Sequence, residues 1–368
     1  MKNHISICAV TVILFSSFAL AANYKAIDLT TGGWYTISQA NKANGAQQVG
    51  YGKASWGLTH AFLWNSSSTN YVDLNPAGCN NSAAIGISGS QQVGWGSFPS
   101  GGSQDALLWS GTAASYIDLN PSGFSSSCAN GTNGTQQAGY GKGTVTSYHD
   151  HALLWSGTAG SCIDLNPSGF YGSYAYGISG ARQVGYGCIS APVDQHAMLW
   201  NGSASSFTDL NPSGFVMTCA YDISGAQEVG YGTTSLAGPQ HALLWLGTAN
   251  SFIDLNPTGF EQSTAFGTNG TQQVGKGYGS ATGDGTHAIL WNGSASDYVD
   301  LHQYLPAGFG LSRATGIDIY GNIVGYATDA SHNDHAFLWQ PIPEPCTLLL
   351  LGLGAAIAVK RNKISRIR

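Results

Sequence analysis

His151-Ala152-Leu153-Leu154-Trp155-Ser156-Gly157-Thr158-Ala159-Gly160-Ser161-Cys162-Ile163-Asp164-Leu165-Asn166-Pro167-Ser168-Gly169-Phe170 reads as two short strands joined by a turn of small residues and closed by a proline. Apolar side chains occupy both faces of the first strand, Leu153 and Trp155 on one, Ala152 and Leu154 on the other. Its sheet must therefore be covered on both sides. Ser156 to Ala159 supply hairpin chemistry, and Pro167 ends the second strand because its nitrogen has no hydrogen to give a ladder.

The same stretch recurs. His-Ala-x-Leu-Trp segments end at Trp64, Trp155, Trp200, Trp245, Trp291 and Trp339, and Asp105 to Trp109 is a variant; successive tryptophans lie 45, 46, 45, 45, 46 and 48 residues apart. An Asp-Leu pair begins at Asp28, Asp73, Asp118, Asp164, Asp209, Asp254 and Asp300, and a Gln-Val-Gly-Tyr type segment is centred near Gly50, Gly94, Gly139, Gly185, Gly230, Gly275 and Gly325. Upstream of each such segment lies another strand candidate, such as Ala84 to Ser88. The turn between the two holds Asn44-Gly45, Asn133-Gly134 or Asn269-Gly270 in three copies, which predicts type I′ hairpins. Four antiparallel strands in about 45 residues, seven times over, predict an all-β fold, a seven-bladed β-propeller of four-stranded antiparallel blades. A parallel β-helix also stacks repeated coils, but with shorter turns and without this hairpin chemistry. Gly86, Gly177, Gly267 and Gly316 suit the crowded axis, and the glycines of the second strand call for a large side chain packed over them, expected from the motif Trp or Tyr.

Cut after each Asp-Leu strand, six blades are complete and the seventh, Arg313 to Trp339, lacks its fourth strand. Tyr24 to Leu29 is the spare. The ring is thus expected to be closed by the N-terminal strand pairing with His335 to Trp339, which hides the sheet edges.

Composition agrees with blades buried on both faces. Only 9% of the 368 residues are charged, and 51 are Gly; abundant Trp, Tyr and aliphatic residues exclude a disordered chain, and scarce charge excludes a long charged helix. The ends read as addresses. Met1 to Ala21 carries Lys2, an apolar run and an Ala19-Leu20-Ala21 cleavage site, the pattern of a secretory signal peptide. Pro343-Glu344-Pro345, the apolar Cys346 to Val359 and a basic cluster from Lys360 to Arg368 resemble, in that order, the PEP-CTERM sorting signal of Gram-negative bacteria. The resemblance implies an exosortase-type processing protease as partner, transient anchoring in the inner membrane through a short transmembrane segment, and a cell-surface or biofilm-matrix setting. The expected organisation is a signal peptide at 1-21, the propeller at 22-340 and the sorting segment at 341-368. Without its ends the body keeps seven basic and eighteen acidic residues, a net charge of -11, which argues against nucleic acid. The recurring His-Ala-Phe/Leu-Leu-Trp, Asp-Leu and Val-Gly-Tyr landmarks resemble the extracellular HAF repeat, departing from it at Asp105, Trp95, Lys276 and Asp300-Leu301-His302. That family implies a secreted repeat protein and brings no catalytic activity with it.

Each motif His precedes an Asp by 13 residues: His60 and Asp73, His151 and Asp164, His196 and Asp209, His241 and Asp254, His287 and Asp300. In a hairpin where Trp155 faces Gly160 the two lie opposite each other and fix the blade. Repetition around a ring keeps such pairs apart, so their role is structural rather than catalytic. Asp105 facing Asp118 marks the second blade as the weak one. Phe124, Phe170, Phe215, Phe260 and Phe309 are expected to plug the gaps between blades, with glycan stacking as their alternative role. Ligand binding is expected where copies differ, in the loops joining the second and third strands: Trp56, Phe98, Tyr148, Asp150, Asp194, Asp284, Asp329 and Asp334, with His149, Tyr278 and His332 beside them. Asp329 to Asp334 offers three acceptors for a Ca²⁺ ion without the EF-hand pattern; no other cofactor or metal is called for. The five cysteines of the body follow no repeat and suggest no pairing. The function expected is a secreted or cell-surface, non-enzymatic propeller that binds matrix exopolysaccharide or a cell-surface glycan, or serves as structural filler. A glycan-cleaving hydrolase or lyase using the loop carboxylates is the alternative.

Overall fold

The computed structural model describes residues 23–30, 35–55, 57–99, 103–190 and 194–342. Its strands form seven four-stranded sheets, six of them built from consecutive strands at 35–73, 81–118, 124–164, 172–209, 217–254 and 262–300. The seventh contains Phe309–Ile317, Ile323–Asp329, Asp334–Ile342 and, at its outer edge, Asn23–Asp28. This is the seven-bladed propeller, and the N-terminal strand closes it: the Leu29 N–H donates to the Ala336 carbonyl at 2.8 Å. The same bond joins Leu165 to Ala152 and Leu255 to Ala242 in complete blades. The compact propeller unit is Tyr24–Pro341.

The third strand makes the core. Its alternation sends Ala61 and Leu63 to one side, where they meet Ala84, Ile87, Leu107 and Trp109 of the following blade. Phe62 and Trp64 go to the other side, against Leu29, Val324, Ala336 and Leu338 of the closing blade. All seven motif tryptophans are fully buried in such seams, each worth roughly 2–3 kcal/mol of apolar burial. Six indole N–H groups have no protein partner, whereas Trp339 donates to the Leu301 carbonyl at 3.0 Å.

A polar relay crosses every seam. The Ser173 hydroxyl of the fourth blade accepts from the Ala152 N–H at 3.0 Å and donates to Asn166 Oδ1 at 2.7 Å, both in the third blade. Ser82, Ser127, Thr218 and Ser263 repeat the arrangement with Asn75, Asn120, Asn211 and Asn256. Where the motif ends in His302, its Nδ1 stands in for Asn against Ser312 at 2.8 Å; where the ring closes, Thr30 does so against Ser38 at 3.0 Å.

Two local expectations are corrected. Asn44, Asn133 and Asn269 do not adopt positive φ, so the first hairpins are not type I′, which needs positive φ at both central residues. In the tight turn of the first blade only Gly45 does, at φ 61°. In the third blade the turn widens, with Thr132 paired to Gln137 and the Asn133 side chain accepting from the Thr135 and Gln136 N–H groups. No second-strand glycine is covered by Trp or Tyr. At Gly50, Gly94, Gly139, Gly185, Gly230, Gly275 and Gly325 a Cβ would strike a first-strand carbonyl, and two residues on, as at Gly52, Gly187, Gly232 and Gly277, the variable residue of the third strand or the loop Phe fills the space. A Cβ on Gly52 would collide with the edge of the Phe62 ring, and one on Gly277 with that of Phe260. Phe170, Phe215 and Phe260 fill seams between blades in the same way.

Candidate functional site

In the third blade His151 Nδ1 lies 2.7 Å from Asp164 Oδ2, and the other four pairs lie at 2.7–2.8 Å. The pair is diagonal rather than directly opposite, since Asp164 faces Leu153. A 3₁₀ turn at Ala159–Ser161 adds two residues to the loop and slides the register. The second Asp164 oxygen accepts from the Asn166 N–H at 2.8 Å, so one carboxylate fixes both hairpin and turn. Closure completes a further pair, His335 with Asp28 at 3.2 Å. In the second blade burial and the facing Asp118 push the Asp105 carboxyl above its usual range.

The loop acids are engaged locally. Asp150 accepts from the Tyr174 hydroxyl at 2.6 Å, and Asp334 from Gln39 at 2.7 Å and Thr328 at 2.7 Å. One Asp329 oxygen caps its own turn by accepting from the Ser331 and Asn333 N–H groups at 2.8 Å, which holds its carboxyl below the usual range. Asp194 lies beside Ser190 and 3.6 Å from His196. Asp284 and His332 adopt left-handed backbone at loop tips. Tyr278 ends a strand against Gln262 and Thr286. Phe98 stacks on Tyr116, and His149 packs on Tyr171 with ring centroids 4.1 Å apart. Tyr148, His149 and Asp150 line one small recess, while Asp329 and His332 line another. Trp56 and the sorting motif Pro343, Glu344 and Pro345 lie outside the described residues, as does the apolar segment after them; among the described residues no helix is long and apolar enough to cross a membrane. Among them, too, no group of three or more His, Cys, Asp or Glu is spaced to hold a metal ion, and Cys79, Cys128, Cys162, Cys188 and Cys219 are unpaired.

The larger site is in the central channel. Every innermost strand carries a β-bulge at the same place, where pairing skips Asn41, Ile85, Asn130, Tyr176, Tyr221, Phe266 and Thr315 in turn. A bulge re-aims a side chain, and these seven line one cavity of about 600 Å³. The next residue is Gly in five blades, because a Cβ there would strike the neighbouring blade: at Gly86 it would lie 2.8 Å from the Asn130 carbonyl oxygen. The two exceptions, Lys42 and Asp222, reach each other across the axis at 2.6 Å. Lys42, Asn130 and Tyr176 line both this cavity and a second one of about 410 Å³ bounded by the first hairpin turns.

One side of the wall is aromatic. Tyr176 and Tyr221 have ring centroids 5.4 Å apart, Tyr221 and Phe266 5.3 Å, and the Arg313 guanidinium lies 3.6 Å from the centre of the Phe266 ring. Burial pushes the Tyr176 and Tyr221 hydroxyls strongly upward, keeping them neutral donors. Lys276 replaces the motif Tyr beside Arg313, and burial together with that positive neighbour lowers its pKa. This wall escapes a sequence reading centred on loops. Its trace is the position after the first-strand Ala, which changes in chemical type from copy to copy: Asn, Ile, Asn, Tyr, Tyr, Phe and Thr.

No protein-family model and no curated protein matches the chain. Among solved structures, it is similar to the acylaminoacyl peptidase of Pyrococcus horikoshii at 9% identity and TM-score 0.57, over 89% of this chain and 56% of the peptidase. One of two prolyl endopeptidases matches at 10% identity and TM-score 0.56, over 85% of this chain and 51% of that one. A puromycin-hydrolysing peptidase of Mycobacterium tuberculosis matches at 13% and 0.50, over 84% and 52%. The chain thus spans about half the length of these enzymes, and at such identity what it shares with them is the propeller fold.

Proposed function

We propose that the chain is an exported, non-enzymatic propeller of a Gram-negative cell surface or extracellular matrix, which holds polysaccharide at the mouth of its central channel and the loops around it. The observation that carries this reading is the cavity of about 600 Å³ walled by Tyr176, Tyr221 and Phe266. Its size is that of a ligand pocket, and flat aromatic faces suit the C–H faces of sugar rings. Export is supported by the leader-like Met1 to Ala21, and surface sorting by an exosortase-type protease by Pro343-Glu344-Pro345. The peptidase likeness adds no activity, because it rests on fold alone.

Incubation with the exopolysaccharide of the producing organism tests the proposal. Retention of the protein without shortening of the polymer is the expected result; shortened chains favour a glycan-cleaving enzyme. In cell fractionation, replacing Pro343, Glu344 and Pro345 by Ala should trap the protein in the inner membrane, and unchanged surface delivery removes the sorting part of the reading.

A further inference from the structure

The body of the chain has seven basic and eighteen acidic residues. Three of those seven, Lys42, Lys53 and Arg313, line the large channel cavity, and none of the eighteen acids does. Such segregation in a protein at -11 runs against the average field and focuses positive potential into a walled recess. Lys42 is committed to Asp222. Among the described residues neither Arg313 nor Lys53 forms an ion pair, and Arg313 Nε is buried without a hydrogen-bond partner. Lys276 crowds the same corner, its charged form disfavoured by burial and by Arg313. Two adjacent cations without a carboxylate are a cost in the free protein, and an anion relieves it.

The aromatic surface beside these cations narrows the chemistry. The Arg313 guanidinium lies over the Phe266 ring, and Tyr221 and Tyr176 continue an aromatic wall whose successive rings tilt by 43° and 53°. A ligand packed on that wall with its negative group on Arg313 has an apolar face and a carboxylate at its rim. We propose that the channel cavity is a binding site for a carboxylated sugar, a uronate residue of an acidic polysaccharide, with Arg313, backed by Phe266, pairing to the carboxylate, Lys53 guarding the entrance and Tyr176 and Tyr221 against the sugar ring. The proposal rests on the polysaccharide-binding reading above and names its ligand class.

The test titrates the mature full-length protein with tetragalacturonate, its methyl ester and a neutral tetraglucoside, read by calorimetry and by the fluorescence of Trp95, which lines the cavity. Binding of the acid is expected, about tenfold or more tighter than the ester and weakening with added salt. Arg313→Gln should lose about tenfold or more in affinity for the acid; Lys53→Gln, a change at an exposed strand end that spares the fold, should weaken it less; and Lys25→Gln, on the outermost strand of the closing blade, should change nothing. Equal binding of acid and ester, no binding of the acid, or unchanged affinity in both cavity variants overturns the proposal. The two levels separate cleanly. If Arg313→Gln is retained by the native exopolysaccharide as well as wild type, the polymer binds elsewhere and only the channel site falls; if wild type is not retained, the broader reading falls even where tetragalacturonate binds.

Discussion

Single residues set the tolerance of the repeat. Glu228 stands where five of the other six blades have Gln and the closing blade has Ile323, fully buried, accepting from the Gly247 N–H at 2.7 Å with Arg182 alongside. Burial raises its carboxyl pKa. Folding therefore favours the protonated form, and this residue's contribution to stability falls as pH rises through and above the ordinary glutamate range. Glu228→Gln keeps the acceptor and removes the charge, so it should stabilise the protein by about 1 kcal/mol at pH 7 and by almost nothing near pH 4, as urea melts at the two pH values will show. Asp105 has the same sign. Asp105→His should install the missing pair with Asp118 and raise the melting temperature by about 1–2 °C at neutral pH, a gain that shrinks in acid where the protonated carboxyl no longer repels its neighbour. An unchanged melt counts against the pairing. The thirteen-residue spacing made these partners visible in the sequence. Their diagonal register was not visible, because it depends on how many residues the outer hairpin loop takes, and the small residues of that loop do not announce its length.

At the scale of strands and turns, the blade was legible from its third strand, whose apolar residues on both faces demand a sheet covered on both sides. What joins one blade to the next was less so. The relay through Ser173 looks in the sequence like an ordinary polar residue at a strand start and an ordinary Asn before Pro167, and only folding places them on one proton chain. Ser173→Ala should leave the buried Ala152 N–H and Asn166 Oδ1 without their partner and destabilise the domain by about 1–3 kcal/mol. Asn166→Ala in that background should cost much less than it does alone, because both changes break one network; additive losses in denaturant melts disprove the relay. The bulges were hidden for a related reason. Pattern reading assumes a strict two-residue period, and a bulge is a local breach of it that turns a side chain expected in the sheet into one aimed at the axis.

Across the whole molecule, the count of blades and the phase of the ring followed from arithmetic on three landmarks, whereas the channel wall required the ring to be built. Deletion of Tyr24 to Leu29 strips the closing blade of its outer strand together with the Asp28 partner of His335 and the buried Leu29. The expected outcome is a cooperative loss of the entire propeller in thermal melts, since each seam is buried against its neighbour; a truncated protein that melts like wild type refutes closure by this strand. The way the ring closes also bears on mechanics. The last strand, Asp334–Ile342, is an interior member of its sheet, flanked by the N-terminal strand on one side and Ile323–Asp329 on the other. Had the chain ended on the outermost strand, a pull on its C-terminus would peel that edge open one bond at a time. Here the load enters between two neighbours and is met in shear by both ladders at once, so a propeller tethered by its tail would resist drag best along the direction in which a tether pulls.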